Sequence, residues 1–171
     1  SDIFVEYINI KKMYSTLFQL DSKDINSEAQ VETRFLNKLF KDLGYPDEAI
    51  IPKERIPALL LSDGVKKMKK EVDFLLTDRH GITRVIVEAK DPSKNIFDAW
   101  GQAASYALSI NKDKPYDKRV QWLLISNGIM TVLYPHDSNT PILTLQLSDF
   151  ASGMPPYVAL RTQIKYERIM V

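Results

Sequence analysis

Apolar and polar positions along this chain fall into two periods, and the switches between them mark out the elements. Over residues 27–43 the apolar positions Val31, Phe35, Leu36, Leu39, Phe40 and Leu43 recur at helical spacing, which predicts an amphipathic helix. Ser27 with Gln30 reads as a capping box at its start, and Gly44 as its stop. A looser helical spacing links Ile3, Tyr7, Ile10, Tyr14, Leu17 and Phe18 over 2–20. Pro46, Pro52 and Pro57 punctuate the segment after Gly44. Residues 55–61 read as a strand, with Ser62-Asp63-Gly64 turning into a long strand that ends near Leu76. Ser93 is placed to cap a helix over about 94–110, where Ala99, Ala103, Ala104 and Ala107 allow close packing on a sheet. Residues 122–126 and 129–134 then form a hairpin about Asn127-Gly128, and 142–147 alternates as a further strand. Pro155-Pro156 opens a final segment, read as helical.

The chain is organised around residues 72–90. Two runs of branched and aromatic residues, 72–76 and 85–90, flank the polar Thr77-Asp78-Arg79-His80-Gly81, the pattern of a hairpin. Side chains alternate along a strand, so Val85, Val87 and Ala89 share one face while Ile86, Glu88 and Lys90 share the other. A carboxylate and an ammonium therefore end an otherwise apolar strand, and Asp73 lies between Val72 and Phe74 on its neighbour. Burying charge is costly unless it is paired or bound to metal. One reading is a buried salt bridge, which is weakly stabilising. The other is an oxygen-ligand site for Mg²⁺ or Mn²⁺ serving phosphodiester hydrolysis, with Lys90 offsetting transition-state charge. An acidic-x-Lys triplet alone carries little weight, since Asp21-Ser22-Lys23 matches it in a polar loop. The strand context and the upstream Asp73 supply the weight.

Asp73 followed by Glu88-Ala89-Lys90 resembles the active-site signature of the PD-(D/E)XK nucleases, with Val72 where that signature often has proline. Gln102 and Tyr106 lie four apart on one helical face. Taken alone they are a half-exposed helix surface; after a Glu-x-Lys strand they resemble the Gln-x-x-x-Tyr motif of recombination exonucleases and type I restriction nuclease domains. Glu32 shares the inward face of Phe35, Leu36, Leu39 and Leu43, either as a snorkelling edge residue or, as the resemblance implies, as a glutamate reaching the metal from the first core helix. The matched span is 32–106, and the resemblance is greatest to the nuclease domain at the N-terminus of type I restriction motor subunits.

That resemblance implies an α/β, restriction-endonuclease-like core: a mixed central sheet flanked by helices. It implies Mg²⁺-dependent cleavage of DNA, with Asp73, Glu88, the backbone carbonyl of Ala89 and Glu32 around the metal. Lys90 would position or activate water, and Gln102 and Tyr106 would orient phosphate or water. It also implies motor, specificity and methylation subunits as partners. Two other readings use the same fold: a stand-alone exonuclease or Holliday-junction-resolvase-like nuclease, and a non-catalytic nucleic-acid-binding domain. The intact Glu-x-Lys weighs against the last.

Composition narrows the picture further. A chain of 171 residues suits a single domain, with 1–20 and 151–171 as peripheral segments. Without cysteine there are no disulfides or thiolate metal sites, and His80 and His136 both read as surface residues. No signal peptide or membrane-length apolar run is present, so a cytoplasmic location is expected. Net charge is only +1, against binding of nucleic acid by bulk electrostatics. Its distribution is uneven: residues 1–50 carry 9 acidic and 6 basic side chains, and residues 51–120 carry 14 basic and 10 acidic. Lys66, Lys67, Lys69 and Lys70 form the densest cluster, read either as a solvated strand end or as DNA-phosphate contacts.

Overall fold

The computed structural model describes residues 14–66 and 71–169. A six-stranded sheet, in sequence order across its width, forms the middle: β3 (Ile50–Pro52), β4 (Phe74–Thr77), β5 (Thr83–Ala89), β6 (Trp122–Ser126), β7 (Met130–Pro135) and β8 (Leu143–Gln146). Every neighbouring pair is antiparallel except β5 and β6. Parallel neighbours need a long crossover, and here the helix α3 (Trp100–Asn111) supplies it. A small ribbon of β1 (Tyr14–Ser15) and β2 (Leu20–Asp21) precedes the first helix.

Alternation along β5 divides the core into two layers as the pattern predicted. Val85, Val87 and Ala89 face one layer, with Phe35, Leu36, Leu39 and Phe40 of the first helix. Ile86 faces the other, with Ala103, Ala107 and Ile110 of α3. The first helix, α1, runs through Glu28–Gln30, a π-helical stretch Val31–Leu36 and Asn37–Asp42, and its whole apolar stripe is buried. Ser27 caps it by accepting from Gln30 N, but the Gln30 side chain accepts from Asn26 N, so the capping box is only half formed. The last helix, α4 (Pro155–Ile164), brings Tyr157, Leu160 and Ile164 into the same layer as α1.

Several elements differ from the sequence reading, each for a physical reason. Residues 55–61 are not a strand: Ile56–Ser62 is helix α2, with Pro57 in its first turn, where a missing N–H costs nothing. Its run of apolar residues suits either period, and Ile56 and Leu60, one turn apart, are the ones buried. The expected turn at 62–64 is the end of that helix, where Gly64 takes φ +76° and Val65 N bonds back to Leu60 O. The edge strand lies earlier, at β3. Asn95, not Ser93, caps the segment leading into α3, accepting from Phe97 N while Ser93 bonds to Asp91. In the β6–β7 hairpin Asn127 pairs with Met130, so the loop residues are Gly128 and Ile129, one later than expected; Gly128 has φ +83°. The helix read over 2–20 falls largely outside the described residues, and from Tyr14 the chain forms the ribbon instead. Among the described residues, no helix is long and apolar enough to cross a membrane.

Candidate active site at the open end of the central hairpin

Register brings the acidic residues together. Phe74 pairs with Val87, so Asp73 and Glu88 lie opposite one another at the open end of the β4–β5 hairpin. Asp73 N donates to Val87 O at 3.2 Å, and Asp73 Oδ2 accepts from Ala89 N at 2.7 Å. That bond fixes the Asp73 carboxylate against the strand carrying Glu88, Ala89 and Lys90. Both acids are buried, Asp73 at 6% and Glu88 at 4% exposure. Glu88 Oε2 is fully buried and has no hydrogen-bond partner. Lys90 Nζ lies 3.7 Å from Glu88 Oε1, within ion-pair range but beyond hydrogen-bond length, with its side chain 27% exposed.

Helix α1 contributes two carboxylates. Glu32 enters from the start of the π-helical stretch, and Glu28 stands one turn earlier on the same face. Oxygens of Glu28, Glu32 and Asp73 all lie within 4.8 Å of one another. Across the sheet, Lys53 comes directly after β3 and its ammonium stands 3.8 Å from Asp73 Oδ1 and 3.9 Å from Glu32 Oε1.

Crowded acids in a poorly hydrated place hold their protons. Burial, and then the Asp73 charge, pushes Glu32 up to about 7. Burial first, then Asp73, drives Glu88 well above the ordinary carboxylate range, with Lys90 opposing. Lys53 is raised, chiefly by Glu32. Four carboxylates thus meet only two ammonium groups, and one carboxylate oxygen is orphaned. Such a donor set, all oxygen, is what a hard divalent cation takes.

Gln102 and Tyr106 lie on α3, and Gln102 reaches back to residue 71, where its Nε2 donates to Glu71 O at 3.0 Å. Tyr106 is buried, and burial, together with the smaller effect of the Glu71 charge, pushes its hydroxyl up to about 12. Both therefore border the segment that leads into Asp73. A cavity of about 290 Å³ opens beside Lys90, lined by Glu28, Asp91, Lys94, Asn95, Asp98 and Ala99. A wider groove of about 1110 Å³ runs from Glu32 past Pro52 and Arg55. Lys66 is exposed, while Lys67, Lys69 and Lys70 lie outside the described residues.

Glu28 and Lys53 are the site residues that the sequence reading missed. Glu28 carried a usable signal, since it precedes Glu32 by four on a helix. Lys53 carried none without the correct edge strand, because only the Pro52–Phe74 pairing puts it across from Asp73.

Two solved structures resemble the chain at low identity. The DrdV–DNA complex, by cryo-EM, is 15% identical with a TM-score of 0.48; the match covers 82% of this chain and 12% of that one. The type IIG restriction endonuclease BpuSI is 17% identical with a TM-score of 0.35, covering 69% and 15%. This chain therefore spans only a small part of either protein. No curated protein matches it. The model of the type I restriction enzyme R protein N terminus matches residues 27–145, a span holding every carboxylate and both ammonium groups of the site. The chain belongs to the family of type I restriction enzyme R protein N termini.

Proposed function

We propose that this domain hydrolyses DNA phosphodiester bonds with a divalent cation, Mg²⁺ or Mn²⁺, as the nuclease part of a restriction system. The observation that carries the reading is the surplus of buried carboxylate at Asp73 and Glu88, with Glu88 Oε2 lacking any partner. Asp73, Glu88 and the Ala89 backbone carbonyl would hold the cation, and Glu32 would complete the acidic shell. When bound, such a cation activates water and neutralises charge on the phosphate.

The remaining roles belong to the chain's own groups. Lys90 faces a cavity and has three donors on a side chain free of a tight partner, so it offers an ammonium to a phosphate oxygen or to the attacking water. Had Lys90 existed to neutralise Glu88, a closer contact and fuller burial would be expected. Gln102, anchored through its nitrogen on Glu71 O, and Tyr106, one turn on, orient water or phosphate in this reading. The lysines at 66, 67, 69 and 70 contact the DNA backbone. With a net charge of +1, the domain alone binds DNA weakly, at a Kd on the order of 10⁻⁴ to 10⁻⁶ M at physiological salt. In this reading, which follows the family and not the charge, it works with partner motor, specificity and methylation subunits.

Nicking of supercoiled plasmid, with protein in excess, tests the reading in Mg²⁺, Mn²⁺, Ca²⁺ and EDTA. Nicking is expected in Mg²⁺ or Mn²⁺ and is expected to vanish in EDTA and in Lys90→Ala. Equal nicking with EDTA, or by the Lys90 variant, would remove the proposed chemistry.

A further inference from the structure

Helix α3 buries one face against the sheet, where Ala103, Tyr106, Ala107 and Ile110 are all covered. Its other face has no partner among the described residues: Leu108 is 76% exposed, and Phe97, in the turn leading into the helix, is 47% exposed. Phe97, Gly101, Ala104 and Leu108 follow one another at spacings of four, three and four, so they form one stripe on that outer face. Trp100 extends the apolar surface into a groove of about 790 Å³ that Ala104 and Leu108 also line. A glycine inside a helix weakens it relative to alanine, and the fold gives no reason for Gly101, since a Cβ there would meet nothing within 4 Å. The notch it leaves faces outward, where it admits close approach by another surface. Charge marks one flank of the stripe. Asp98, Ser105 and Lys112 lie seven apart, all three are exposed, and neither Asp98 nor Lys112 makes an ion pair among the described residues. That flank runs from negative to positive about Ser105. When two such helices pair antiparallel about a two-fold axis, the same flank of each meets the other reversed. Asp98 of each copy then faces Lys112 of the other, and Leu108 lies over Gly101 and Ala104 of the other.

We infer that the outer face of α3 is an interface for a second copy of this chain, paired antiparallel about a two-fold axis near Ser105. The charges select that occupant, because a flank that complements itself when reversed fits its own copy. Asp98 also lines the cavity beside Lys90, so the pairing sets Lys112 of the second copy at the rim of the candidate active site. Pairing of this kind does not depend on metal at Asp73 and Glu88. A single helix pair is a small contact, so the dimer is weak and reversible, with a Kd on the order of 10⁻⁴ M.

Sedimentation equilibrium of the full chain, at concentrations up to about 1 mM, tests the pairing. The wild type should associate reversibly. Leu108→Glu should weaken association by about tenfold or more, and its melting temperature should stay near that of the wild type because the side chain is exposed. Lys112→Glu should weaken association by roughly three- to fivefold. Adding Asp98→Lys reverses the sign of each pair and should return association to within about twofold of the wild type. Gly101→Ala should move two readouts in opposite directions, with a higher melting temperature and weaker association. A wild type that stays monomeric overturns the inference and leaves the face to a different polypeptide. Association undiminished in Leu108→Glu or Gly101→Ala, or a double charge variant no better than Lys112→Glu alone, overturns it as well.

Discussion

At the turn end of the β4–β5 hairpin, Asp78 and Arg84 are buried as a matched pair; at the open end, Asp73 and Glu88 are buried with more carboxyl groups around them than partners. The matched end is complete. Asp78 accepts from Arg84 Nε at 2.9 Å and from the backbone of His80 and Ile82. Arg84 spends its other nitrogens on the carbonyls of Arg119 and Asp117. The open end leaves Glu88 Oε2 without a partner, raises Glu32 and Glu88, and holds its two ammonium groups at ion-pair distance only. Both ends bury charge at a similar depth, so burial alone says nothing about role. Satisfaction is what separates them: a closed network stabilises the hairpin, and an open one is suited to a ligand.

Breaking the open end should affect chemistry most. Lys90→Ala is expected to lower DNA nicking by about 10²- to 10³-fold. Its cost in stability should stay near 0–1 kcal/mol, roughly that of a partly exposed pair. Parallel nicking and urea-unfolding curves measure the two. A large loss of stability with Lys90→Ala would return the open end to the same class as the turn end.

Matched isosteric changes sharpen the contrast in stability. Asp78→Asn leaves Arg84 buried without its counter-charge and should cost about 3–5 kcal/mol. Asp73→Asn removes repulsion among Glu32, Glu88 and its own charge while keeping an acceptor for Ala89 N, so the metal-free protein should be as stable or more so. Thermal melts of both variants in EDTA decide this, and equal losses would erase the distinction.

Protonation gives a smaller effect. The folded protein holds the Glu32 proton up to about pH 7, whereas the ordinary carboxyl value is 4.5. Between those values the folded state binds more protons than the unfolded one, so the stability of the metal-free protein falls as pH rises through that window. The contribution is fully present below 4.5 and is lost through about 7. Urea midpoints across pH in EDTA should show the decline, and Glu32→Gln should lessen it, leaving the part that the raised Glu88 contributes. An unchanged slope in Glu32→Gln would place the titration elsewhere.

The open end was largely legible in the sequence, and the turn end was not. Alternation put Glu88 and Lys90 on one face, and the cost of burying Asp73 beside them singled out the pair without any long-range information. Glu32 was marked by its place on the apolar stripe. Asp78 carried no such mark, because a polar run closed by glycine reads as solvent-facing turn. Its burial depends on Arg84 reaching the carbonyls of residues 117 and 119, which lie far along the chain. Lys53 was hidden for a related reason. A three-residue edge strand ending in proline is too short to register, and the apolar run after it suited a strand as well as a helix.

The smallest expected effect lies outside both ends. Lys66→Ala should lower the slope of log DNA affinity against log salt by about 1 and leave nicking per bound complex unchanged. Fluorescence anisotropy over a salt series measures it, and an unaltered slope would return Lys66 to the role of a solvated surface residue.

Calorimetric titration of Mn²⁺ into the wild type and Asp73→Ala tests most directly whether the unsatisfied end is a metal site. The wild type should bind Mn²⁺ with modest affinity, as an all-oxygen site that keeps several waters does, and the variant should show no binding. Equal binding isotherms for the two proteins would contradict the account, leaving Asp73 and Glu88 as a buried acidic pair with no ligand.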